Sequence, residues 1–267
     1  MLPDLNLLWV DEPFSALGIE FSVDLDRLEN LNFMRKMQEV KVLLDIWTWR
    51  PLSLCGKITV IKTLALSKFI HIFSSLPPIS DSNLTTLSKV FYNFIWNSKQ
   101  DKVNRLRLCC DYEHGVLRMT HLPSFIQAIH VSWIHRLMLN QDSQWAKLFT
   151  IWGGISPSYL SHFSAVQIID FAKKRFSKHS FWYSVLLSWS KILKIYCNKL
   201  NDSVSPKCIW FNPEVKVNND TVFYSTWYHN GVKYLSDFLD ETGSILSFQD
   251  FCDKHSFTPN RLRYMDW

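Results

Sequence analysis

Between residues 27 and 96 apolar positions recur every three or four residues in three successive runs. In the first, 27–48, Leu28, Leu31, Phe33, Met34, Met37, Val40, Leu43 and Leu44 fall at helical spacing. Pro51 breaks that run, and Ser53 is an N-cap for a second helix reaching about Ser75, which Pro77 and Pro78 stop. Ser80 or Asp81 caps a third, with Leu84, Leu87, Val90, Phe91, Phe94 and Ile95 on its apolar face. Three consecutive helices predict a helical bundle. Ahead of them, SALGIEFSV (15–23) reads as a strand with Gly18 inside it, where a glycine suggests a bulge or close approach of another backbone. A lone strand leaves its ladder groups unpaired. Upstream only Leu5 to Val10 offers a second run, so the chain is expected to begin inside a sheet whose other strands are missing.

Beyond residue 100 the pattern is less regular. Val103, Leu106 and Leu108 predict a short extended piece, followed by a turn at Glu113, His114 and Gly115. Residues 121–140 read as a helix, and 141 to about 200 as mostly helical, most clearly in SFWYSVLLSWSKILKIY. EVKVNNDTVFYS (214–225) predicts a hairpin turning at Asn218, Asn219 and Asp220. VKYLSDFL predicts a short helix ended by Gly243. Ser247 with Asp250 makes a capping pattern, and Thr258 with Pro259 starts a last helix. The expected class is mainly α: a helical bundle preceded by a strand, then a helical region and a small α+β part with a hairpin. The segments are 1–26, 27–112, 113–200 and 201–267.

Composition narrows the chemistry. Among 267 residues only seven are glycine, which argues against Gly-rich cofactor folds, and no cofactor is called for. Net charge is +5, unevenly spread. Residues 1–26 hold six acids and no Lys or Arg, whereas 27–140 hold fifteen Lys and Arg against seven acids. Such a basic section suits phosphates, or a solvated basic surface. Six cysteines include no CxxC, so neither a zinc ribbon nor a dense disulfide framework is indicated, and a reducing compartment is inferred. The acidic start lacks the basic region of a secretory leader, and Lys or His interrupts the longest apolar stretches. A soluble protein of cytoplasm or nucleus, with no membrane association, is expected.

Catalytic signatures are weak. Gly56 and Lys57 do not make a Walker loop, because position 51 is proline where that motif needs glycine and position 58 is isoleucine where it needs Ser or Thr. No Asp-Asp pair occurs to hold two metal ions. Cys109 or Cys110 lies near His114 and His121 in sequence, but nothing marks an activating base or an oxyanion hole. His130 and His135 are five apart, wrong for a helical zinc pair. The tryptophans, Trp47 and Trp49 among them, have faces on which bases can stack, and their spacing among Leu and Ile equally suits a core.

Several stretches together carry a resemblance: FSALGIEFS, WTWRPLSLCGKITVIKTLALSKFIHIFSSLPP, FYNFIWNSKQDKVNRLRLCCDYEHGVLRM and SFIQAIHVSWIHRLM. They resemble the region that follows the catalytic motifs in reverse transcriptases of LINE-type non-LTR retrotransposons. Trp47 with Arg50 fits the Trp-x-x-Arg of that pattern, Val116 stands where a second Gly is usual, and Arg118 stands for Lys. WFNPEV, VFYSTW, GVKYLSDFLDETG and SFQDF resemble the segment further downstream. The Phe/Tyr-x-Asp-Asp box of that family has no counterpart here.

The resemblance implies a thumb over residues 27–99 and a connector after it, with Leu17, Gly18 and Ile19 in the strand near the primer grip. It implies a truncated, non-catalytic protein that is not an enzyme alone, with a catalytic polymerase half supplied by another chain as one implied partner. A thumb holds RNA or RNA–DNA duplex by its phosphates, without reading sequence. The residues expected to do so are Arg50, Lys57, Lys62, Lys68, Lys102, Arg105 and Arg107. Lys57 and Lys68 are eleven residues apart, roughly 16 Å along one side of one helix. For each lysine the alternative is a side chain snorkelling from a buried helix. For the whole chain it is a helical protein-interaction scaffold, whose mark would be an exposed apolar or Trp-rich patch.

Overall fold

Residues 14–21 fold back on themselves. Strands β1 (Phe14–Ala16) and β2 (Ile19–Phe21) pair antiparallel with Ala16 opposite Ile19. Leu17 and Gly18 form the two-residue turn between them, at φ of 52° and 78°. This is the primed hairpin geometry, whose twist matches that of the strands. The single strand expected over 15–23 is therefore a hairpin that supplies its own partner, and Gly18 serves the turn, not a bulge. The structure, a computed structural model, describes residues 13–22, 24–110, 117–197 and 208–256. The run at Leu5–Val10, the turn at Glu113–Gly115 and the helix expected at Thr258 lie outside them.

The chain divides into two compact units, Met1–Ile129 and His130–Trp267. The division falls inside helix α7 below, and each part of that helix is described with its own unit. The four segments expected from the sequence reduce to these two because cores are shared. Residues of the hairpin, of 28–109 and of 117–129 bury one cluster, while those of 134–193 and 208–252 bury the other.

In the first unit the predicted helices form, but two of them are interrupted. Helix α1 (Leu25–Glu29) passes through a π-turn at Asn30–Met34 into α2 (Arg35–Thr48). Ser53 caps α3 (Leu54–Val60), its hydroxyl accepting from the Gly56 amide at 3.2 Å. A second π-turn, Ile61–Ala65, leads into α4 (Ser67–Ser75), and the path bends by 45°. Helix α5 (Asp81–Trp96) follows. Phe33, Val40, Ile61, Phe69, Leu87 and Phe91 lie fully buried among these helices. Burying each such side chain contributes about 1.5–3 kcal/mol.

Both ends of α5 are closed from elsewhere. Ser80 stands at its N-cap position, yet its hydroxyl does not cap. Instead the Glu29 carboxylate accepts from the Ser80 amide (3.0 Å), the Ser80 hydroxyl (2.8 Å) and the Asn83 side chain (2.7 Å). A carboxylate there complements the positive end of the helix. At the other end Asn97 takes φ of 52°, the left-handed stop. Next, the short extended piece expected at Val103–Leu108 is a helical turn, α6 (Arg105–Leu108), because the Asn104 side chain accepts from the Leu106 amide at 2.9 Å and caps it. Leu108 is buried and accepts the Met119 amide. The first residues of α7 (Leu122–Leu139) complete this core with Leu122, Phe125 and Ile126.

The second unit takes Ile134 and Leu137 from the rest of α7. It adds α8 (Gln144–Gly153), a 3₁₀ turn at Pro157–His162, α9 (Ala165–Arg175) and α10 (Phe181–Cys197). The predicted hairpin is present as β3 (Lys216–Val217) and β4 (Asp220–Thr221), turning at Asn218 and Asn219. Helix α11 (Ser225–His229) follows; the short helix expected in VKYLSDFL is a 3₁₀ turn, Leu235–Phe238; and Ser247 caps α12 (Phe248–Lys254). The core is aromatic: the Phe171 ring lies 5.2–6.3 Å from those of Phe149, Phe163, Phe176 and Phe211. Buried polar groups hold the loops. Gln167 donates to the carbonyls of Cys208 and Trp210, and the Trp210 indole to that of Val232.

The protein is thus mainly α-helical, with two short strand pairs among the described residues. No single described helix is long and apolar enough to cross a membrane. The bent pair α3–α4 reaches the composition, but Ile58, Ile61, Ala65, Phe69 and Ile72 are buried in the unit's own core.

Candidate nucleic-acid interface

Lys57, the central residue of the expected phosphate-binding face, points inward. It is 6% exposed. Its ammonium donates to the carbonyl oxygens of Phe94 (2.9 Å) and Ile95 (3.3 Å) and to the side-chain oxygen of Asn97. Those are among the last acceptors of α5, where a cation complements the negative helix end. Burial pushes its pKa below the ordinary lysine value. Lys57 is a buried clamp on a helix terminus, and its assignment as a nucleic-acid contact is corrected.

Lys68 faces elsewhere. Its ammonium lies 3.3 Å from the Glu39 carboxylate of α2, which Lys36 also meets at 2.9 Å. The π-turn and the 45° bend between α3 and α4 explain the divergence. A π-turn shifts the helical register, so the eleven-residue spacing no longer keeps the two lysines on one face. Lys57 and Lys68 therefore do not form the single basic side expected of them. Lys62 sits on the π-turn, half-buried, with no ion pair among the described residues.

The remaining expected cations fall in two places. Lys102, Arg105 and Arg107 lie in residues 97–107, every one of which is exposed. Lys99 adds a fourth cation there, and Asp101 is the stretch's lone carboxylate. Arg105 is ordered against α5: its guanidinium meets Asp101 at 2.7 Å and lies 4.3 Å over the Tyr92 ring. Arg50, exposed at the end of α2, lies 4.5 Å over the Trp47 indole. Beside it Trp49 is 90% exposed. Trp47, Val42, Ile46, Arg35, Glu39 and Lys68 line an open groove of about 640 Å³ along the outer side of α2.

The primer-grip-like residues separate. Leu17 and Gly18 form the exposed hairpin tip, whereas Ile19 is buried. Arg35 reaches the Gly18 carbonyl at 3.3 Å and Glu20 at 3.6 Å. Asn32, buried in the first π-turn, exchanges hydrogen bonds with the Glu20 amide and carbonyl. Asn32, Glu29 and the α2 groove are all absent from the sequence-based expectation. A pattern of apolar spacing does not mark them.

Hydrolase chemistry finds no arrangement among the described residues. The thiols of Cys109 and Cys110 donate to the carbonyls of Arg105 and Leu106, and His121 meets Ser124. Burial pushes the Cys109 thiol up, opposite to an activated nucleophile. His114 lies outside the described residues. No group of three or more His, Cys, Asp or Glu among the described residues could hold a metal ion. No model of a known protein family matches the chain.

Proposed function

We propose that the chain is a non-catalytic nucleic-acid-binding protein, related to the thumb and following region of LINE-type reverse transcriptases, that holds RNA or RNA–DNA duplex without reading sequence. It does so through the exposed basic segment Lys99–Arg107, not through the α3–α4 lysines. The observation that carries this reading is that segment: four cations stand in a fully exposed stretch whose one carboxylate pairs with Arg105. Buried Leu108 anchors it. Arg105 is held by Asp101 and Tyr92, so Lys99, Lys102 and Arg107 are the contacts that phosphates recruit. Action in cytoplasm or nucleus, alongside a polymerase half on another chain, belongs to the same proposal.

The test is a salt titration of binding to an RNA–DNA hybrid. Log affinity is expected to fall linearly with log salt, and Lys102→Gln with Arg107→Gln to reduce that slope by about 2. Absence of salt-dependent binding near physiological ionic strength would refute the proposal. A second reading, a helical protein-interaction scaffold without a nucleic-acid role, draws on the exposed apolar residues Val42 and Ile46 of α2 and Trp49 just after it. It gains if the hybrid does not bind.

A further inference from the structure

We infer that the outer face of α2 is a second nucleic-acid site, one that takes unpaired nucleotides of single-stranded RNA or DNA. The inference rests on the nucleic-acid reading above and concerns a different surface. Val42 and Ile46 are four residues apart on one side of α2, and Trp49, the helical-conformation residue that ends the helix, continues that side three residues on. They are 51%, 60% and 90% exposed. Trp49 therefore offers a nearly whole indole face to solvent. Trp47, from the adjoining groove, carries the Arg50 guanidinium 4.5 Å above its ring.

The mixture of groups selects the ligand. A duplex presents phosphates and sugars and hides its base faces, so an apolar floor gives it little. A single strand presents phosphates and aromatic faces together, and stacking of a base on an aromatic side chain is tolerant of sequence. The α2 side has both halves of that match. Its floor is Val42, Ile46 and Trp47, with Trp49 following. Its rim is cationic, with Arg35 and Lys68 at the groove and Arg50 at its end. Three carboxylates oppose them: Glu39, bonded to Lys36 and Lys68; Glu20, 3.6 Å from Arg35; and Asp45, exposed on α2 four residues before Trp49. Glu39 thus acts as a placeholder that a phosphate would replace on Lys68.

The full chain is titrated at low salt with a labelled oligouridylate and, separately, with a blunt RNA–DNA hybrid. Trp49→Ala is expected to weaken oligouridylate binding roughly tenfold and to leave hybrid binding unchanged. Trp49→Phe should retain most of the affinity. Glu39→Gln, which releases Lys36 and Lys68, should strengthen oligouridylate binding several-fold. Trp49 lies on the surface, so these variants keep the core intact. Equal binding of oligouridylate by Trp49→Ala and the parent overturns the inference, as does full retention by Trp49→Leu, the mark of an apolar face built for a protein partner. If the parent binds the hybrid but not the single strand, this inference alone fails. If it binds neither, the nucleic-acid reading fails with it.

Discussion

The two units of the molecule solve the same problem, burying polar backbone, in different ways. In the first, apolar helices pack by side-chain periodicity, and polar side chains close helix ends, Glu29 at the start of α5 and Lys57 at its finish, while Asn32 ties the first π-turn to β2. In the second, rings fill the core, and polar side chains reach into irregular chain: Gln167 to Cys208 and Trp210, the Trp210 indole to Val232, the Tyr159 hydroxyl to the Lys233 carbonyl. The contrast decides where a charge can be spared for a ligand. A helical unit whose ends need closing consumes cations internally, so a basic sequence does not by itself make a basic surface.

Four experiments test this contrast. The largest effect belongs to the aromatic core: Phe171→Ala should destabilise the second unit by about 3–5 kcal/mol. Amide hydrogen exchange would show lost protection across α8–α10, and a small change would mean the rings are not its main support. Next, Lys57→Met removes the clamp and leaves the α5 carbonyls short of donors, costing about 2–3 kcal/mol. Protection at the C-terminal end of α5 should fall, while the salt slope of hybrid binding by the folded protein stays unchanged; a reduced slope would return Lys57 to the interface. Gln167→Leu removes two buried hydrogen bonds and should cost about 2 kcal/mol, read as faster exchange around Trp210.

The smallest effect is at Glu39. The Lys36 ammonium, and after it Lys68, holds this carboxyl below its ordinary value of 4.5 against a partial desolvation that raises it. A carboxyl whose folded pKa is depressed stabilises fully above the unfolded value, and loses that contribution as pH falls through the folded one. Because the pair is more than a third exposed, the contribution is well below ~1 kcal/mol. Side-chain NMR should find Glu39 titrating below the ordinary range, with Lys36→Met restoring it more than Lys68→Met.

What was legible in the sequence is what depends on near neighbours. The helices over 25–48, 54–75 and 81–96, the Ser53 cap and the hairpin at Asn218–Asn219 all follow from spacing, prolines and turn residues within a few positions. Lys57 was misread for the opposite reason, since its acceptors lie 37 to 40 residues further along. Gln167 reaches 41 to 43 residues to Cys208 and Trp210. Val42, Ile46 and Trp49 were not legible as a surface, because apolar spacing foretells burial and these three are exposed. The exposure of Lys102, Arg105 and Arg107 was legible because a run of charge within a few residues favours the surface.

The π-turn at Ile61–Ala65 has one more consequence. A π-turn holds one residue more than an α-turn, and one residue is about 100° of rotation. The helix is thus written in two rotational phases joined at a hyphen. Removing a single residue there would leave every side chain in place in the chain and yet swing all of α4 to a new compass bearing, taking Lys68 away from Glu39 and the core phenylalanines out of the core. An inserted residue in a helix is usually counted as a defect; here it is the adjustment by which one amphipathic sequence serves two differently oriented neighbours, α5 before the turn and α2 after it.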